Sequence, residues 1–196
     1  MGLTVLFGGT FNPFHIGHYQ MLKCLCELDY VDEVLVMPDK IPPHKVCDFL
    51  ACDEDRIAMC KLAAADFYKA EVTTVEFELE GKSYTYNTVK ELKKRFPDNR
   101  FAMACGADMI ASLDRWYNWQ ELLKELDFIA FNRNNDDEFN YQVERMRKLG
   151  ANIKVIDAEI ISVSSSQLRE DIKASVKNGL LPEKIAEYIF KKGLYA

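Results

Sequence analysis

Apolar positions along the chain follow two spacings that take turns. Short continuous runs at residues 3–7, 34–37, 101–105, 128–131 and 153–156 suit strands buried on both faces, and a more alternating run lies near 71–79. Between them the spacing becomes helical. Residues 17–28 put Leu22, Leu25 and Cys26 on one face, and the next pattern groups Ile57, Cys60 and Ala64 behind the capping candidate Asp53. In 88–96 the apolar positions are Val89, Leu92 and Phe96, with Pro97 as the stop, and 142–149 ends at Gly150, a suitable C-cap. Two more helices follow: 166–177, ended by Asn178 and Gly179, and one opening at Pro182 as its first residue. Strands alternating with helices are the signature of βαβ units. The expectation is an α/β fold with a doubly wound, mostly parallel sheet.

With 196 residues the chain is long enough for one sizeable core, so residues 1–196 are read as one domain with one active site. The least regular stretches, 38–50 and 132–137, both follow strands. Ligands bind beyond the carboxyl ends of the strands in an open parallel sheet, which assigns those loops to the site.

Composition removes several classes of function. No apolar run approaches the roughly 20 residues a membrane span needs, so no membrane partner is expected. MGLTVLFGGT lacks a basic region and a cleavage site, and Leu6 stands where a myristoylation signal needs Ser or Thr, which leaves the cytoplasm as the expected location. Six cysteines without a Cys-x-x-Cys pair suggest neither a disulfide framework nor a zinc site. A net charge of −6 argues against a nucleic-acid partner, yet local basic residues can still hold a polyphosphate.

The densest chemistry lies in residues 8–19, GGTFNPFHIGHY, directly after the first apolar run. Gly8 and Gly9 let a backbone approach a ligand and let φ turn positive, although a plain tight turn explains a bare Gly-Gly equally well. Neither a G-x-G-x-x-G nor a G-x-x-x-x-G-K-[ST] loop is present. His15 and His18 are three apart where Gly17 and His18 open a helix, so both imidazoles can address one anion at its positive end. Two histidines are an incomplete metal set, and no third ligand stands nearby.

The stretch Gly8-Gly9-Thr10-Phe11-Asn12-Pro13-Phe14-His15-Ile16-Gly17-His18 resembles the His-x-Gly-His signature of the nucleotidylyltransferase superfamily. Further along, Pro42-Pro43-His44-Lys45, Ser83-Tyr84-Thr85, Gly106-Ala107-Asp108, Trp116 with Trp119, and Val163-Ser164-Ser165-Ser166-Gln167-Leu168-Arg169 look like the successive motifs of bacterial nicotinate-mononucleotide adenylyltransferases. Tyr188-Ile189 and Gly193-Leu194-Tyr195 also match that family. Asn12 stands where the family often has Asp, and Ser166 where it often has Thr; each keeps a short polar side chain. The resemblance implies a Rossmann-like nucleotidylyltransferase fold. It further implies transfer of the adenylyl group of ATP to nicotinate mononucleotide, giving nicotinate adenine dinucleotide and pyrophosphate in NAD biosynthesis. Nicotinamide mononucleotide and phosphopantetheine are the alternative acceptors.

In that reaction the acceptor's own phosphate is the nucleophile, which leaves positioning and charge stabilisation to the protein. The resemblance implies His15, His18 and Arg169 as catalytic residues, with His18 at the charge that develops on the α-phosphoryl oxygens. Gly8, Gly9, Thr10, Gly106, Asp108, Ser165 and Ser166 would complete the ATP site, Asp108 at the ribose hydroxyls and the serines ahead of a helix with free amides. For the acceptor it implies His44, Lys45, Thr85, Trp116, Tyr117 and Arg133, with Thr85 and Trp116 at the pyridine ring; Trp119 is read as a core residue. Mg²⁺ is expected to arrive with ATP, with no metal ligand from the protein. A homo-oligomer is compatible with the sequence.

Overall fold

The computed structural model describes residues 2–40, 50–132 and 137–195. Its strands are β1 (Leu3–Gly9), β2 (Glu33–Pro38), β3 (Ala70–Val72), β4 (Arg100–Cys105), β5 (Asp127–Asn132) and β6 (Ile153–Asp157). They form one sheet in the order β3-β2-β1-β4-β5-β6, and every neighbouring pair is parallel. Each continuous apolar run is therefore a strand, as its burial on both faces requires.

The helices are α1 (Ile16–Glu27), α2 (Asp53–Ala64), α3 (Val75–Glu78), α4 (Thr85–Arg95), α5 (Ala107–Ser112), α6 (Trp119–Glu125), α7 (Asp137–Lys148), α8 (Ser165–Glu170), α9 (Ile172–Lys177) and α10 (Glu183–Lys192). A 3₁₀ turn, Leu113–Arg115, follows α5. Side chains alternate between the sheet's faces. Phe7, Leu22, Met59 and Ile129 belong to one core layer, and Leu6, Val89, Met103 and Phe128 to the other. Among the described residues no helix is long and apolar enough to cross a membrane.

Several boundaries differ from the sequence reading. The alternating run near 71–79 is a short strand followed by a helical turn. Thr73 N–H makes the last bond to Val36 O in β2, at 3.0 Å, and its Oγ1 accepts from Val75 N at 3.4 Å, turning the chain out of the sheet. The helix read at 166–177 is two helices. Asp171, at φ −146°, accepts from Ala174 N at 2.9 Å and caps the second one afresh. Cys52 holds the cap position expected of Asp53, which is the first helical residue, and Pro182 is a cap and not the first residue of α10.

The strand order reverses between β1 and β4. Past Leu6↔Met103 the ladder to β4 ends, while the ladder to β2 continues through Gly8↔Met37 to Gly9↔Pro38. The two strands part there, and a crevice opens at the topological switch point. Gly8 and Gly9 are thus extended residues of β1 and not a turn. The left-handed residue is Phe11, at φ 47°, held by its buried ring.

Candidate active site

The crevice is a cleft of about 750 Å³, within the range of small-ligand sites. Its walls come from the loop after β1, the end of β2, the α3–α4 connection, the start of α5, the Trp116–Tyr117 turn and the start of α8. His44, Lys45 and Arg133 lie outside the described residues. The other candidates read from the sequence all line this one cleft: Gly8, Gly9, Thr10, His15 and His18; Thr85, Gly106, Asp108, Trp116 and Tyr117; and Ser165, Ser166 and Arg169.

The histidine loop is built on aromatic packing. Phe11 and Phe14 stack 4.9 Å apart above Phe7, fixing the chain as it enters α1. His15 is the N-cap: its Nδ1 accepts from His18 N, and His18 Nδ1 accepts from His15 N, both at 3.3 Å. The rings stack with centroids 3.6 Å apart. Since Nδ1 of each ring accepts an amide proton, a neutral ring carries its own proton on Nε2, a hydrogen-bond donor. Capping is therefore the device that orients both imidazoles. Gly17 has a separate reason to be glycine: a Cβ there would stand 2.8 Å from the Ile161 carbonyl.

Beside the histidine loop, Ser164 is the cap of α8, and Ser165 and Ser166 are its first residues, one residue earlier than the start read at 166. Ser165 Oγ donates to the Pro13 carbonyl at 3.3 Å. Arg169 Nη1 donates to the Asn12 carbonyl at 2.7 Å and Nη2 to Ser166 Oγ at 3.2 Å. These bonds bring the arginine to the histidine loop and leave further guanidinium N–H groups for an anion. Gly106 caps α5 and Asp108 sits exposed in its first turn, where carboxylates are favoured.

On the acceptor side Thr85 opens α4. Tyr84 and Tyr117 pack tilted at 4.8 Å, Tyr86 meets Tyr117 edge-on at 6.2 Å, and half-buried Trp116 packs on the core layer that holds Phe128. Trp119, at the start of α6, packs on the same core layer, as the sequence suggests.

Two buried charged residues escaped the sequence reading. Arg56, 0% exposed, donates from Nη1 to the carbonyls of Thr10 (3.0 Å) and Asp39 (2.7 Å) and from Nη2 to Asp53 Oδ1 (2.6 Å). Thr10 Oγ1 in turn donates to Asp39 Oδ2 at 3.1 Å. One guanidinium thus ties together the chain ends leaving β1 and β2. A signal existed: Arg56 shares a helical stripe with Met59, Cys60 and Ala63, all buried. Glu76, 5% exposed, lines the cleft and accepts from Thr88 Oγ1 at 3.0 Å. Burial pushes its carboxyl above the ordinary range, with hydrogen bonds from Ser83 and Thr88 acting against that. Among the described residues, no three His, Cys, Asp or Glu side chains gather closely enough to hold a metal ion.

A parallel sheet with this strand order and a His-x-Gly-His loop at its switch point defines the nucleotidyltransferase class. Residues 6–171 match the family model described as Cytidylyltransferase-like. The chain is 37% identical over 192 residues to the probable nicotinate-nucleotide adenylyltransferase of Bacillus licheniformis, covering 97% of this chain and 96% of the relative. It is 36% identical over 191 residues to the nicotinate-nucleotide adenylyltransferase of Bacillus subtilis, again over 97% and 96%. In fold it matches Plasmodium falciparum nicotinic acid mononucleotide adenylyltransferase complexed with NaAD, with a TM-score of 0.82 at 22% identity over 100% of this chain and 98% of that one. The chain belongs to the cytidylyltransferase-like family and, within it, to the nicotinate-nucleotide adenylyltransferases.

Proposed function

We propose that the chain, acting as one domain over residues 1–196, transfers the adenylyl group of ATP to nicotinate mononucleotide in NAD biosynthesis. The supporting observation is the meeting of the His15–His18 stack with Arg169 at one loop, opposite an aromatic wall in the same cleft. The acceptor phosphate oxygen attacks the α-phosphorus in line, the bond to the β-phosphate oxygen breaks, and pyrophosphate leaves as nicotinate adenine dinucleotide forms. His18 donates from Nε2 to the α-phosphoryl oxygens, and His15 to the adjoining phosphates. Arg169, Ser165 and Ser166 take the pyrophosphate. Gly8, Gly9, Thr10 and Gly106 allow close approach of the nucleotide, and Asp108 accepts from its ribose hydroxyls.

For the acceptor, Trp116 stacks on the pyridine ring, while Thr85 and the Tyr117 amide take the nicotinate carboxylate. His44, Lys45 and Arg133 address its phosphate. Mg²⁺ arriving with ATP would supply charge neutralisation at the phosphates, while the histidines and Arg169 orient them. On this reading it is a cytoplasmic enzyme whose partners are nucleotides, with no nucleic-acid or membrane partner, and a homo-oligomer is compatible.

The test is turnover of purified protein with ATP and Mg²⁺ and, in separate assays, nicotinate mononucleotide, nicotinamide mononucleotide or phosphopantetheine. Equimolar pyrophosphate and dinucleotide, formed fastest with nicotinate mononucleotide, is the expected outcome. No turnover with either pyridine mononucleotide refutes the reading. Trp116→Ala is expected to raise KM for nicotinate mononucleotide about tenfold, the scale of a lost aromatic stack, and to leave KM for ATP in place. A loss confined to ATP affinity would put the pyridine subsite elsewhere.

A further inference from the structure

Asn12 is the point where three distant segments meet. It is 2% exposed, and its side-chain oxygen accepts from Ala51 N at 3.1 Å, just before α2, and from the Tyr195 hydroxyl at 2.6 Å. Its carbonyl accepts from Arg169. The partner most distant in sequence is Tyr195, 183 positions away.

The chain is turned back to reach it. Gly193, at φ 64°, ends α10 in the left-handed region, and Leu194 N returns to Ile189 O at 3.0 Å. Tyr195 itself stands at φ 60°, a conformation a tyrosine seldom adopts. Its ring packs against the core layer that holds Phe7, Phe11 and Phe14. Burial raises the hydroxyl above the ordinary tyrosine range, with the charges of Arg169 and Arg56 opposing, so it remains a protonated donor. Uncommon backbone at two nearby residues delivers one hydroxyl to one amide oxygen, and that oxygen belongs to the loop carrying the histidines.

We infer that Tyr195 is a positioning residue for adenylyl transfer: it holds the Asn12 side chain, and thereby the loop carbonyl that orients Arg169 toward the phosphate side of the cleft. The inference rests on the proposed role of Arg169 and the histidines at the phosphates. Tyr195 touches no substrate in this account.

The experiment is Tyr195→Phe, which keeps the ring and deletes the hydroxyl. With ATP, Mg²⁺ and nicotinate mononucleotide, KM for ATP is expected to rise about fivefold and kcat to fall about tenfold, the scale of one lost buried hydrogen bond and a displaced anion site. KM for the mononucleotide should stay within about twofold, because Thr85 and Trp116 stand on other segments. A shortage of folded enzyme would lower kcat and leave both KM values alone, so that pattern, or wild-type kinetics, overturns the inference. In a double-mutant cycle with Asn12→Ala, Tyr195→Phe should add nothing further; additive losses would mean that it does not act through Asn12. If Asn12→Ala does not fold, the KM pattern of Tyr195→Phe decides alone. Calorimetric titration with ATP separates this inference from the reaction it rests on. Were the wild type inactive with every acceptor, an unchanged ATP affinity in Tyr195→Phe would still refute the positioning role and a weakened one would uphold it.

Discussion

Replacing His18 with alanine is expected to lower kcat for adenylyl transfer by about 10² or more, the scale of losing one donor to a transition-state oxyanion, with KM values changing little. The reasoning starts from the capping box. Because His18 Nδ1 is occupied by the His15 amide, the ring cannot turn its other nitrogen away without giving up that bond. Nε2–H is thereby aimed before substrate arrives, which is what makes a donor count more at the transition state than in the ground state. The substitution also removes half of the box, costing about 1 kcal/mol of stability, so rates should be compared where both proteins are fully folded. If KM for ATP rose and kcat held, His18 would serve binding only.

The second large effect is on stability. Arg56→Met should destabilise the protein by about 3 kcal/mol, the scale of leaving two carbonyl acceptors without their donor, since the Asp53 carboxylate, 42% exposed, can be rehydrated. Methionine fills much of the same space, so packing is not the chief loss. Three oxygens are abandoned at once: the Thr10 and Asp39 carbonyls, and the Asp53 carboxylate at 2.6 Å. Asp39, its side chain 19% exposed, is left with little solvent to replace the guanidinium. For a chain of this length the loss corresponds to a fall in Tm of roughly 10 °C. Arg56→Lys should recover only part, since one ammonium cannot span acceptors just past β1, just past β2 and in α2. Thermal or urea unfolding measures both; a loss below about 1 kcal/mol would reduce the network to the rank of a surface pair.

The strands were legible because a strand buried on both faces is written as a continuous apolar run, and each run is a strand. Helix starts were less so. α4 begins at Thr85 and α7 at Asp137, ahead of the residues read as their starts; the first turn of α7 carries Asp137 and Glu138, which suit the helix dipole and leave no apolar period. At Thr73 and Asp171 a single polar side chain redirected the backbone where periodicity promised continuity. α5 and α6 are too short to carry a pattern at all. The candidate site divides along the same line. His15, His18, Ser165, Ser166 and Arg169 stand in compact motifs, and the described members of those motifs share one cleft. Arg56, Glu76 and Tyr195 matter through neighbours that only the folded sheet supplies.

The reach of the Tyr195–Asn12 contact bears on how the enzyme is made. Arg169 and Tyr195, which fix the histidine loop, are synthesised more than a hundred residues after it. At about 5–20 residues per second, that leaves β1 and its loop waiting on the order of ten seconds. A stalled chain ending before α8 would carry the histidines and no anchored arginine. Nucleotide binding should therefore appear abruptly, once Arg169 and Tyr195 have docked on the histidine loop.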